Sequence, residues 1–162
     1  MEQSTKLFIP LGTQNFQFNR LIESLNDMVT KGYYLRDEIF LQSSVIDIKP
    51  TFKYAKILPN KEFNTYIDNT EVVVTHSGVN TIMTCMNKKK PLVVVPRQKI
   101  YGEHVDDHQM EIADLIEHKF DVIVVRDMKD LFEAIEIAKN HEYKQWISKR
   151  DELIRAVRKV IE

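Results

Sequence analysis

The stretch "GEHVDDHQ", residues 102–109, sets two histidines, two aspartates, a glutamate and a glutamine behind one glycine, with Pro96 and Arg97 just ahead of it. His104 and His108 are four apart, so on a helix they would share one face, and with a third ligand and an open position they would hold zinc. Histidine, aspartate and glutamine are equally suited to sugar hydroxyls, which need several partners in fixed directions. A helix opening near His104 would give its first-turn acids, Asp106 and Asp107, a purely structural role beside the macrodipole. The stretch alone leaves all three readings open.

Two other segments carry chemistry. In "VVVTHSGVNTIM", residues 72–83, Ser77, Gly78, Val79, Asn80 and Thr81 bridge an apolar run to a helical one. Glycine lets the main chain approach a ligand closely, and side-chain donors at a helix N-terminus suit a diphosphate held without a metal. The segment is neither a Walker loop nor GxGxxG. A serine nucleophile elbow would need glycines where Thr75 and Val79 stand. His76, at a strand's end, is a capping histidine or a base. In "LGTQNFQFNRLI", residues 11–22, Gly12 permits a tight turn and Thr13 offers a hydroxyl ahead of a helix opening near Phe16. This turn reads equally as a ligand loop or as Asx-type capping.

The elements that must position these loops are legible in the hydropathy. Runs at 6–11, 38–43, 54–58, 71–76, 91–96 and 121–125 are apolar without alternation, as strands buried on both faces are. Between them, Phe18, Leu21, Ile22, Leu25 and Met28 keep helical spacing, as do Ile112, Leu115 and Ile116, then Leu131, Ala134, Ile135 and Ala138. The order β, α, β, β, α, β, α, β, α, β, α, α predicts an α/β, Rossmann-like, doubly wound and mostly parallel sheet. Such sheets bind ligands outside the carboxyl ends of their strands, which is where the three segments fall. A last helix over 143–161 carries Trp146, Ile147, Ile154, Val157 and Ile161 on one side, as a solvated basic helix or a docking surface.

The 162 residues, 43% hydrophobic, suit a single domain over 1–162. A net charge of −1 gives no field to draw nucleic acid or a lipid headgroup layer. One cysteine, Cys85, excludes an internal disulfide and a cysteine-based zinc site, and a reducing cytoplasm is expected. No run is long enough for a signal-peptide core or a membrane span.

Taken together, "LGTQNFQFNRLI", "LQSS", "THSGVNTIM" and "KPLVVVPRQKIYGEHVDDHQ" resemble the C-terminal domain of the family 28 glycosyltransferases, the MurG-like GT-B group. Within it the chain looks most like the short bacterial exopolysaccharide and capsule subunits of the PssE and EpsE type. The resemblance implies that the chain is the C-terminal half of a GT-B fold, with Ser77, Gly78, Val79 and Asn80 on the diphosphate of a UDP-sugar. It puts His108 and Gln109 on the sugar, Gly12, Thr13 and Gln42 on the binding rim, and Arg97, Glu103, His104 and Asp107 in the sugar-facing wall. Where MurG-like members carry a ribose-binding acid, this chain has Thr84, which passes that role to Glu103 or Asp107. No metal or other cofactor is implied.

The function implied is that of a UDP-hexose-binding catalytic subunit of an inverting glycosyltransferase. Its partner would be a membrane-associated, PssD-like acceptor-binding subunit, and its acceptor a polyprenyl-diphosphate-linked sugar at the inner face of the cell membrane. The general base lies on that partner or, within this chain, at His76, Glu103 or His104. The alternatives are a non-catalytic nucleotide-sugar sensor or scaffold and a metal-dependent hydrolase built on residues 103–108.

Overall fold

The computed structural model describes residues 5–144 and 150–161. Six strands, β1 (Leu7–Pro10), β2 (Ile39–Gln42), β3 (Lys53–Ala55), β4 (Val72–Thr75), β5 (Leu92–Val94) and β6 (Ile123–Val124), form one sheet in the order β3-β2-β1-β4-β5-β6. Every pairing is parallel, so the sheet is wholly parallel rather than mostly so. The helices are α1 (Asn19–Thr30), α2 (Asn60–Asn69), α3 (Val79–Asn87), α4 (His108–Phe120), α5 (Leu131–Ala138) and α6 (Arg150–Ile161).

Alternate strand residues point to opposite faces and build two cores. Leu7, Ile9, Ile39, Val72 and Val93 meet Leu21, Ile22 and Leu25 of α1 and Leu131 and Ile135 of α5. Phe8, Val73, Leu92 and Val94 meet Ile67 of α2, Ile82 and Met86 of α3, Ile112 and Ile116 of α4, and Leu153 and Val157 of α6. This two-sided burial is why the strand runs lack alternation. Cys85 lies inside the second core, where burial pushes its thiol up to about 12 and leaves it inert.

Strand order reverses between β1 and β4, which opens a crevice at their carboxyl ends. The Thr75 hydroxyl fixes its floor by donating to Pro10 O at 2.7 Å.

Two expectations about helices need correction. The helix expected near Phe16 begins at Asn19, and the one expected near His104 begins at His108. His104 and His108 therefore share no helix face. The last helix is described from Arg150, and Trp146 and Ile147 lie outside the described residues.

Candidate functional site

Three loops rise at the carboxyl edge of the sheet, and each is organised by side chains that cap main-chain groups. After β1, Gly12 adopts φ +72°, a conformation that disfavours a side chain. Gln42, at the end of β2, clamps it: Oε1 accepts from Gly12 N at 2.9 Å, while Nε2 donates to Gly12 O at 3.1 Å and Lys56 O at 3.0 Å. Gln42 is buried and fully engaged, so it braces the loop instead of reaching a ligand. Thr13 and Asn15 stay exposed.

The loop after β5 is braced from beneath. Arg97 is 1% exposed, its guanidinium 4.8 Å above the Phe18 ring and donating to Phe16 O at 3.1 Å, Gln17 O at 3.3 Å and Glu103 O at 3.4 Å. Burial lowers it to about 10, against the pull of Glu103, and it stays charged at neutral pH. Glu103 is as deeply buried; it accepts from Arg20 Nε at 2.7 Å and Gln98 N at 3.0 Å. Arg20 also reaches Pro96 O and Arg126 O. Gln17 Nε2 donates to Tyr101 O at 2.9 Å and Gly102 O at 3.2 Å, and Asp107 Oδ1 accepts from Lys99 N at 3.0 Å.

Arg97 and Glu103 thus face inward and form no part of an open sugar-facing wall. His104 and His108 remain at the surface around Asp106: His104 Nδ1 lies 3.2 Å from Asp106 Oδ1, which also accepts from His108 N at 3.1 Å. The His104 ring packs on Phe16 at 5.4 Å.

After β4, Gly78 is the N-cap of α3 with φ −85°, so backbone conformation does not demand glycine. A Cβ there would come within 3.1 Å of His76 Nε2, so the ring would have to give by a few tenths of an ångström. His76 is 7% exposed, and burial, then the charge of Arg97, lowers its pKa to about 3. It is a neutral, packed ring at physiological pH, unsuited to act as a base. Ser77 is buried too, its hydroxyl donating to Gln109 O at 2.8 Å. Gln109, expected on the sugar, is buried between the two loops, whereas His108 beside it is 40% exposed. Thr84 turns its hydroxyl to Asn80 O at 2.9 Å within α3.

Among the helix N-termini at this edge, those of α1 and α4 are met by side chains, whereas those of α2 and α3 are not. At α1 the Asn19 N–H is taken by Gln17 Oε1 at 2.7 Å, and at α4 the His108 N–H is taken by Asp106. At α3 no side chain caps the helix. Its first-turn N–H groups, at Val79, Asn80 and Thr81, have no intrahelical partner and point with the positive end of the dipole at the crevice. Asn80 is exposed and Val79 and Thr81 half-buried beside it. An anion fits that mouth with no metal.

Known proteins agree with this geometry. The glycosyltransferase family 28 C-terminal domain matches residues 6–145. The chain belongs to that family. A Candida albicans protein, UDP-N-acetylglucosamine transferase subunit ALG13, is 26% identical over 95 residues, which cover 59% of this chain and 31% of that protein. The chain thus matches under a third of its relative's length.

Among solved structures, the NMR structure of ALG13 superposes with a TM-score of 0.59 at 15% identity, covering 96% of both chains. The glycotransferase of kitacinnamycin (TM-score 0.52, 15% identity) covers 97% of this chain but 40% of its own. The forosaminyltransferase SpnP (TM-score 0.50, 13% identity) covers 99% and 40%. These place the fold among the glycosyltransferases. The family 28 reading and the Rossmann-like fold therefore stand.

Sequence reasoning does not single out Gln17, Arg20 or Thr75. The one available signal is position: Arg20 sits beside the apolar stripe of α1 at Leu21, where a charge needs a buried partner.

Proposed function

We propose that this chain is the donor-binding subunit of an inverting glycosyltransferase, with the diphosphate of a UDP-hexose at the uncapped mouth of α3. That mouth carries the reading, because it opens beside the β1–β4 crevice and no side chain caps it. The backbone N–H groups of Val79, Asn80 and Thr81 would stabilise the charge that develops on the departing diphosphate, and no metal is needed for it. Half-buried His108 would meet the sugar in this reading.

The base that deprotonates the acceptor comes from a partner subunit or from His104, since His76 and Glu103 are buried and engaged. A partner is supported by the word "subunit" in the name of the relative. It is supported also by the larger glycosyltransferases, of which this chain matches two-fifths. In this reading the partner is membrane-associated and holds a polyprenyl-diphosphate-linked sugar, in exopolysaccharide or capsule synthesis. This chain sits in the cytoplasm at the inner membrane face through that partner. Among the described residues no helix is long and apolar enough to cross a membrane.

Transfer of labelled sugar from UDP-hexose or UDP-N-acetylglucosamine to a polyprenyl-diphosphate sugar tests the proposal. Co-expression with an acceptor-binding subunit is expected to give a complex that transfers with or without EDTA, while the chain alone is inactive. Full activity of the chain alone would remove the need for a partner, and loss of activity in EDTA would restore a metal.

A further inference from the structure

Gln109 lies between the β4 and β5 loops, and its amide orientation is fixed by its neighbours. Oε1 receives the backbone N–H groups of Ser77 at 3.3 Å and Arg97 at 3.0 Å, which can only donate. The other end, Nε2, lies 3.0 Å from His76 Nδ1. An amide NH2 can only donate there, so Nδ1 accepts and the neutral ring carries its proton on Nε2. That nitrogen stands over Gly78, the N-cap of α3, where a Cβ would approach within 3.1 Å. No acceptor among the described residues takes up its proton.

We propose that Gln109 is a positioning residue, which fixes the Nε2–H tautomer of His76 and aims that proton at the mouth of α3. A buried neutral donor thereby joins the backbone N–H groups, with no charge to desolvate. The backbone carbonyl of Gln109 holds the Ser77 hydroxyl as well, so one residue ties the β5 loop to the phosphate-facing loop. The inference rests on the donor-binding reading only for the identity of the anion, and it gives Gln109 a role other than the sugar contact expected from its motif.

Ring tautomers are read by long-range 1H–15N correlation spectra of the 15N-histidine-labelled chain at pH 7. The wild type is expected to show His76 protonated at Nε2 and bare at Nδ1. In Gln109→Glu the carboxylate has no proton to give, so the proton should move to Nδ1 and the dissociation constant for UDP should rise about tenfold, as for one lost hydrogen bond. An Nδ1–H or cationic ring in the wild type would overturn the proposal without recourse to any variant. So would a moved proton with unchanged UDP affinity. A wild type that binds no UDP defeats the nucleotide reading, and the tautomer then decides the role of Gln109 by itself.

Discussion

Arg97, Glu103 and Gln109 share one circumstance: each is a buried polar side chain spent on holding a loop. Buried Glu103 and half-buried Arg20 form a pair at 2.7 Å, and removing one partner of such a pair leaves the other charge partly desolvated. Glu103→Ala should therefore lower stability by about 3 kcal/mol in urea denaturation; a loss under about 1 kcal/mol would mean that the pair is dispensable. His76 makes a second prediction. Its pKa is lowered from 6.5 to about 3, so between those values the unfolded chain binds a proton that the native state refuses. Stability due to this group is complete above pH 6.5 and falls with acidification towards pH 3, by up to about 1.4 kcal/mol per pH unit. Between pH 7 and 5 the wild type should lose more stability than His76→Asn, and equal losses would contradict a buried neutral ring. Residue types in "PRQKIYGEHVDDHQ" announced a polar site, yet type does not say which way a side chain turns. Arg97 and Glu103 turned inward because backbone carbonyls and Arg20, out of sight in the sequence, offered them partners.

The secondary-structure order was legible because a strand buried on both faces reads as an unbroken apolar run and a helix face keeps its 3.6 period. Helix starts were not. Residues 16–18 and 104–107 suit a helix by sequence, but they form loops in which Gln17, Asp106 and Asp107 bond main-chain N–H groups. Such caps compete with helix and leave no trace in hydropathy. At α3 the element itself makes the site: a glycine N-cap that clears the His76 ring and a first turn with no side-chain cap. At the other end of α3, about 13 Å away, a cavity of about 310 Å³ is lined by Met86, Lys89, His141, Glu142 and Tyr143. None of the three sequence segments that carry chemistry forms that lining, apart from the continuation of α3 itself.

For the whole molecule, the rim around the crevice is the surface that a second subunit would cover. Ile100, Tyr101 and Val105 are exposed there, on a loop that Gln17, Arg20, Glu103 and Asp107 hold rigid. A braced apolar tip suits a protein contact, whose core favours aromatic and apolar anchors. Ile100→Asp should weaken the complex with the acceptor-binding subunit at least about tenfold while UDP affinity stays unchanged, as checked by co-purification and calorimetry. An intact complex would place the interface elsewhere. The central claim is that the mouth of α3 holds the diphosphate, and titration of UDP into the 15N-labelled chain tests it most directly. The account predicts amide shifts centred on residues 77–81, abolished in Gly78→Val, where the added side chain displaces His76. Shifts centred instead on Lys89 and residues 141–143, or none at UDP concentrations in the millimolar range, would contradict it.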